Sequence, residues 1–150
     1  MAKRKLQGEL FSDKTRWSST EVRHEIEFHD LLLAIKNVTV KKSPKFKIDD
    51  VEFSVSVDPW NGDNSGFISV YLDHFSDESQ MISLTVKASS GEEASRQMEE
   101  VEAEGFCGFF EFLSITKYKE FAKDKGDVLK LELTVILHTK ENAATEGWSR

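Results

Sequence analysis

Two short runs of two-residue alternation, held apart by a segment made for turning, point this chain to folds built on antiparallel sheet. Across Val51–Asp58 the odd positions are apolar and the even ones polar, the pattern of a strand with one buried and one wet face. Gly66–Leu72 follows, with Phe67, Ser69 and Tyr71 on one side and Ile68, Val70 and Leu72 on the other. Between them, Asp58-Pro59-Trp60-Asn61-Gly62-Asp63-Asn64-Ser65 supplies the residues that turns need, so a hairpin across a long polar loop is expected.

The rest of the chain repeats the pattern. Val22, His24, Ile26 and Phe28 alternate with Arg23, Glu25, Glu27 and His29, which marks a first strand from Val22. Leu31–Ile35 fits helix or buried strand by period, and the β-branched Val38-Thr39-Val40 that follows favours strand. Met81–Ala88 sends Ile82, Leu84 and Val86 to one side and ends at the turn Ser89-Ser90-Gly91. Glu92–Glu104 is ambiguous: its composition favours helix, while the neighbouring sheet favours an extended edge. The aromatic run Phe106–Leu113 is expected to feed the core. Thr116 is placed to cap a single helical turn reaching Phe121. Lys123–Asp127 then turns the chain into a long strand with Leu129, Leu131, Leu133, Val135 and Leu137 on one face.

The expected fold is therefore all-β, an antiparallel β-sandwich of seven to eight strands with one short helical turn. Residues 1–20 read as a flexible arm with Trp17 as its anchor, residues 21–139 as the domain, and residues 140–150 as a polar tail. At 150 residues the chain is large enough to bury a self-sufficient core.

Charge and composition exclude several functions. The formal net charge is −7, yet residues 1–47 carry 11 Lys/Arg against 6 Asp/Glu. The acidic remainder argues against nucleic-acid binding, which needs a basic face for phosphates. Lys41–Lys47 is the densest basic cluster, either a solvated loop entering a strand or a patch for an acidic partner. No apolar run approaches the roughly 18 residues of a membrane span, and Met1–Lys5 leads into no signal-like apolar segment. The single Cys107 excludes an internal disulfide and suits a reducing compartment, so cytosol or nucleus is the default expectation.

The sequence carries no recognisable reactive constellation. His24 and His29 are five apart on opposite faces of a strand, where a helical zinc pair needs a spacing of four. His74 lacks a nucleophile turn, and His138 sits in the last strand. Asp58, Asn61, Asp63 and Asn64 do not have the spacing of an EF-hand loop. No phosphate-binding Gly-rich loop occurs. Catalytic residues, metal and cofactor are all expected to be absent.

The order Ser43-Pro44-Lys45-Phe46, Val51–Val57 with Asp58-Pro59, Phe67–Leu72, Cys107–Leu113 and Gly126–Leu131 resembles the MATH (meprin and TRAF-homology) domain over roughly residues 22–138. The chain departs from that family at Cys107-Gly108-Phe109, where a Trp-Gly-Phe triplet is usual, and in lacking a Trp in the first strand and near Phe53. The resemblance implies a peptide-binding site made of Tyr71, Ile82, Leu84, Cys107 and Phe109. It also implies a non-enzymatic adaptor or substrate-recruitment domain, monomeric or weakly homo-oligomeric, that binds a short extended segment of a partner protein. Such domains often stand beside a trimerising coiled coil, a BTB domain of the ubiquitin pathway or a protease. None is recognised here, so the chain is expected to be a stand-alone adaptor or a fragment of a larger protein. Two other classes compete: a self-associating structural subunit using the same sheet face or the Glu92–Glu104 edge, and an enzyme using Cys107.

Overall fold

The computed structural model describes residues 4–10, 15–60 and 66–142, with side chains over 16–60 and 66–140. Within them the order is β1 (Arg4–Leu10), β2 (Thr15–His29), α1 (Leu31–Asn37), β3 (Lys41–Lys42), β4 (Phe46–Ile48), β5 (Val51–Asp58) and β6 (Phe67–His74). Then come β7 (Gln80–Ala88), β8 (Glu93–Val101), β9 (Phe106–Ser114), α2 (Ile115–Lys125) and β10 (Val128–Asn142). The strands form two antiparallel sheets stacked as a sandwich, one ordered β1-β2-β10-β7-β8 and the other β3-β5-β6-β9, with β4 also pairing β5. Among the described residues no helix is long and apolar enough to cross a membrane.

The alternating runs place the core. Leu129, Leu131, Leu133, Val135 and Leu137 of β10 join Val22, Ile26 and Phe28 of β2 and Ile82, Leu84 and Val86 of β7 on one inner face. Phe53, Val55, Val57, Ile68, Val70, Leu72 and Leu113 form the other, and most of these side chains are inaccessible to water. Full burial of one such side chain stabilises the fold by roughly 1.5–3 kcal/mol. The hairpin expected from the alternation is β5–β6, in register from Phe53 opposite His74 to Asp58 opposite Ser69.

Several elements depart from the sequence reading. Residues 4–10 and 15–20, expected to be a flexible arm, lie in β1 and β2, where β2 pairs with β10 along its full length, down to Thr15 opposite Asn142. Polar residues suffice there because ladder hydrogen bonds ignore side-chain identity. For the same reason β10 continues past Thr139 into the expected tail. Leu31–Ile35 is helix rather than strand: Leu31, Ala34 and Ile35 face the core at helical spacing. The helix start is capped from afar, since Asp127 accepts from the backbone N–H of Leu31 (3.2 Å) and of Leu32 (3.1 Å). Val38, expected in a strand, instead closes α1 in the left-handed region at φ 51°, and Val40 is exposed. The second helix is also longer than one turn and is capped by the Ser114 hydroxyl rather than Thr116.

Glu92–Glu104 resolves as the edge strand β8, because the outer side of β7 would otherwise leave its backbone groups unpaired. Its Glu-rich, exposed sequence is the charged edge that discourages strand-to-strand aggregation. The face of β5 expected to be wet is closed over: Ser54 and Ser56 are buried, and Ser56 donates to Asp73 at 2.6 Å.

Candidate functional site

Among the described residues, β9 is the free edge of its sheet, and the β6–β9 pair carries most of the exposed aromatic surface. On β9 the period of two sends Cys107 and Phe109 inward and Phe106, Gly108 and Phe110 outward; a register shift between Ile68 and Val70 of the paired strand then breaks the alternation, and Phe112 and Leu113 are both buried. Phe106 and Phe110 are 61% and 57% exposed, far more than large aromatics usually are. The expectation that the whole run feeds the core thus holds for half of it.

Tyr71 of β6 stands opposite Gly108 and is half-buried. Its ring meets Phe106 edge-on, with centroids 4.8 Å apart. Gly108 is required here by close approach: a Cβ would sit 2.1 Å from the Val70 carbonyl oxygen and 3.1 Å from Tyr71 Cδ1. Without that side chain, a hollow of about 300 Å³ opens between Tyr71, Phe106, Cys107 and Phe110 on one side and Arg96 and Glu99 of β8 on the other. Arg96 guards its rim, donating from Nε to the Gly108 carbonyl at 2.6 Å and pairing with Glu99 at 3.1 Å. An edge-strand carbonyl is thereby met by a side chain where a strand could bind.

The predicted site residues divide. Tyr71 and Cys107 line this hollow. Phe109 lies beside it but belongs to the margin of the core, against Phe112 and beneath the Arg96 guanidinium at 5.8 Å. Ile82 and Leu84 are each 1% exposed and point between the sheets, so the structure does not bring them to this face. Their strand β7 belongs to the other sheet, and its alternation serves the core. Sequence reasoning missed Phe106, Phe110, Trp60 and Arg96. The signal for the first two was present in the outward parity of β9 once Gly108 is set opposite Tyr71.

Cys107 is nearly sealed, and burial pushes its thiol up to about 12, with Glu99 adding to the rise and Arg96 opposing it. At neutral pH it is a protonated thiol, a poor nucleophile. His74 is fully buried, its Nε2 at 2.6 Å from the Glu102 carbonyl and its Nδ1 at 3.2 Å from the Ser76 N–H, so it ties the β6 end to the β8–β9 connection. His138 lies between the hydroxyls of Ser19 (2.9 Å) and Ser83 (2.8 Å), and His24 stacks on Phe46; burial lowers the pKa of both. Within the basic cluster, Lys41 donates to the His29 carbonyl and Lys45 lies 4.2 Å from the Phe75 ring centroid. Asn61, Asp63 and Asn64 lie outside the described residues. Among the described residues no group of three or more His, Cys, Asp or Glu side chains is placed to hold a metal ion. Compared with models of known protein families and with curated proteins, the chain matches none, so its fold and this aromatic face are what a functional reading rests on.

Proposed function

We propose that this β-sandwich is a non-enzymatic protein-interaction domain of MATH-like type that receives an extended segment of a partner polypeptide along the outer face and free edge of β9. The observation that carries the reading is the hollow over Gly108, walled by Tyr71, Phe106 and Phe110 at an unpaired strand edge. Its chemistry suits an extended chain: an edge strand offers main-chain hydrogen bonds for orientation, and aromatic walls give side-chain pockets. Tyr71 adds an apolar ring with a hydroxyl at its tip, a combination frequent at binding hot spots. Arg96 is a movable stopper on this reading, exchanging its bond to the Gly108 carbonyl for one to the ligand. The resemblance in strand order to MATH domains supports the same face, with Cys107 replacing a large aromatic wall by a small thiol floor.

The test is capture of partner segments on a peptide array, followed by calorimetric titration of the best binder. Tyr71→Ala and Phe106→Ala are each expected to weaken binding by about tenfold or more without lowering the melting temperature of the free domain appreciably. Full affinity in both folded variants overturns the proposal. Light scattering on the same samples reports whether self-association competes.

A further inference from the structure

The sheet that ends at β9 has a second edge, at β3, and there the molecule carries an apolar surface that the proposed function leaves unused. Helix α1 and the chain that leaves it toward β3 border an open hollow of about 470 Å³. Leu33 lines it from the helix and Val40 from the returning chain, and they are 58% and 42% exposed. Leu32 and Val38, beside them in the chain, are exposed as well. Packing of α1 does not call for these side chains, since Leu31, Ala34 and Ile35 already form its buried side. Apolar side chains gathered at a surface mark a place where something docks. Val38 is an independent sign of the same thing. It closes α1 at φ 51° and ψ 51°, a left-handed backbone in which a β-branched residue is strained and glycine is the usual choice. Its isopropyl group therefore costs the fold strain and is left 53% exposed to water. Strain of this kind gathers at functional sites.

Charge decides what docks. Residues 30–47 hold five lysines, at 36, 41, 42, 45 and 47, against the single carboxylate of Asp30, while residues 48–150 hold 9 Lys/Arg against 21 Asp/Glu. Lys41 and Lys42 line the hollow, and Asp30 is the one carboxylate in its lining. Lys41 is held by the His29 carbonyl, Lys45 lies over the Phe75 ring, and Lys47 stands in register opposite Glu52. Lys36 and Lys42 are the ammonium groups placed to meet a ligand. Lys36 follows Leu33 by three on the helix and Lys42 follows Val40 by two, so each charge shares a face with an apolar side chain. We propose that this hollow docks an acidic segment of a partner protein, with one apolar side chain seated against Leu33 and Val40 and flanking carboxylates directed at Lys36 and Lys42. A neutral partner would strip water from the lysines without pairing them. An anionic bilayer or a nucleic acid is a broad surface that also meets the acidic remainder of the molecule, whereas a single chain can enter the hollow without doing so. The docking does not rest on the β9 reading; together the two sites hold separate chains at opposite edges of one sheet.

The experiment titrates the full chain into a fluorescein-labelled peptide with a central Leu-Phe pair flanked by Glu on both sides, followed by fluorescence anisotropy. Saturable binding with a Kd on the order of 100 µM is expected, weakening several-fold between about 50 and about 500 mM NaCl. Replacing Leu-Phe by Ser-Ser is expected to weaken it about tenfold, and replacing every Glu by Gln about fivefold. On the protein, Leu33→Ser and Val40→Ser each weaken binding about fivefold, and Lys36→Glu combined with Lys42→Glu abolishes it. These side chains are exposed, so the variants fold as the parent does. Val38→Gly weakens binding while leaving the melting temperature at or above the parent's, because it relieves the turn. No saturable binding, or binding indifferent to Leu33→Ser and to the paired lysine changes, overturns the docking. Tighter binding to phosphatidylserine-rich vesicles than to the peptide overturns the polypeptide assignment in favour of a lipid surface. Self-association in light scattering without peptide, lost on Lys42→Glu, overturns it in favour of a second copy of this chain. Tyr71→Ala leaves this titration unchanged and Leu33→Ser leaves capture at β9 unchanged, so failure of either site is read apart from the other.

Discussion

Replacing Gly108 by alanine is the sharpest probe of how the site is built. The new methyl would lie 2.1 Å from the Val70 carbonyl oxygen and 2.8 Å from Tyr71 Cα, both backbone atoms of the paired strand. Ordinary C···O contact begins near about 3.3 Å, so β9 would have to move away from β6 by about 1 Å. A displacement of that size stretches the local ladder bonds beyond useful length, at about 1 kcal/mol each for two bonds. Overpacking adds about 1–3 kcal/mol, for a total of about 3–5 kcal/mol. In a domain of this size that corresponds to a fall in melting temperature of about 6–20 °C, measurable by circular dichroism, with a matching drop in the urea midpoint. Truncating Tyr71 in the same chain should give no rescue, because the tightest contact is with backbone rather than with its ring. A Gly108→Ala melting temperature within about 1 °C of the parent, or a rescue by Tyr71→Ala, would refute the close-approach argument.

Asp127 caps α1 and accepts the Tyr118 hydroxyl at 2.7 Å, so Asp127→Ala is expected to cost about 2–3 kcal/mol and to expose α1 amides to rapid hydrogen exchange; unchanged exchange would contradict the cap. Phe109→Ala should destabilise by about 2–3 kcal/mol in urea titrations, whereas Tyr71→Ala should cost less, since its ring is closer to solvent; the reverse order would show that Phe109 is the exposed one. The Cys107 thiol, held at about 12 against 9.0 in the unfolded chain, keeps its proton in the fold longer than out of it. The contribution of Cys107 to stability is therefore level below about pH 9 and falls between about pH 9 and 12, by on the order of 4 kcal/mol. Tyr118, also raised by burial and by Asp127, steepens the same limb. Cys107→Ala should flatten part of that slope in denaturation series, and alkylation of native Cys107 at neutral pH should be slow; fast alkylation would contradict its sealed position.

How much was legible in the letters depended on whether a residue's fate is local. The strict alternation of Val51–Asp58 and Leu129–Leu137 leaves one workable arrangement, sheet with its apolar side turned to a second sheet, since a two-residue period cannot form one helical stripe. The β5–β6 hairpin, the inward set of β10 and the two-layer architecture follow from that period. Tyr71 and Cys107, singled out by their place in the motif order, line the hollow over Gly108, whereas Ile82 and Leu84 were assigned to the same face although their alternation already pointed to the core.

What the letters did not decide were outcomes that turn on distant partners. Leu31–Asn37 is helical because Asp127, about a hundred residues away, supplies its cap. Glu93–Val101 is a strand against its own propensity because an open β7 edge pays more in unmet hydrogen bonds than the helix would gain. Phe106, Phe110, Trp60 and Phe67 share one outer face only once β5, β6 and β9 are side by side, so their sum is invisible residue by residue. Periodicity thus determined which way each strand faces the core, and tertiary pairing alone decided which rings meet at the surface, because a pattern along the chain fixes direction but proximity across strands is set by register.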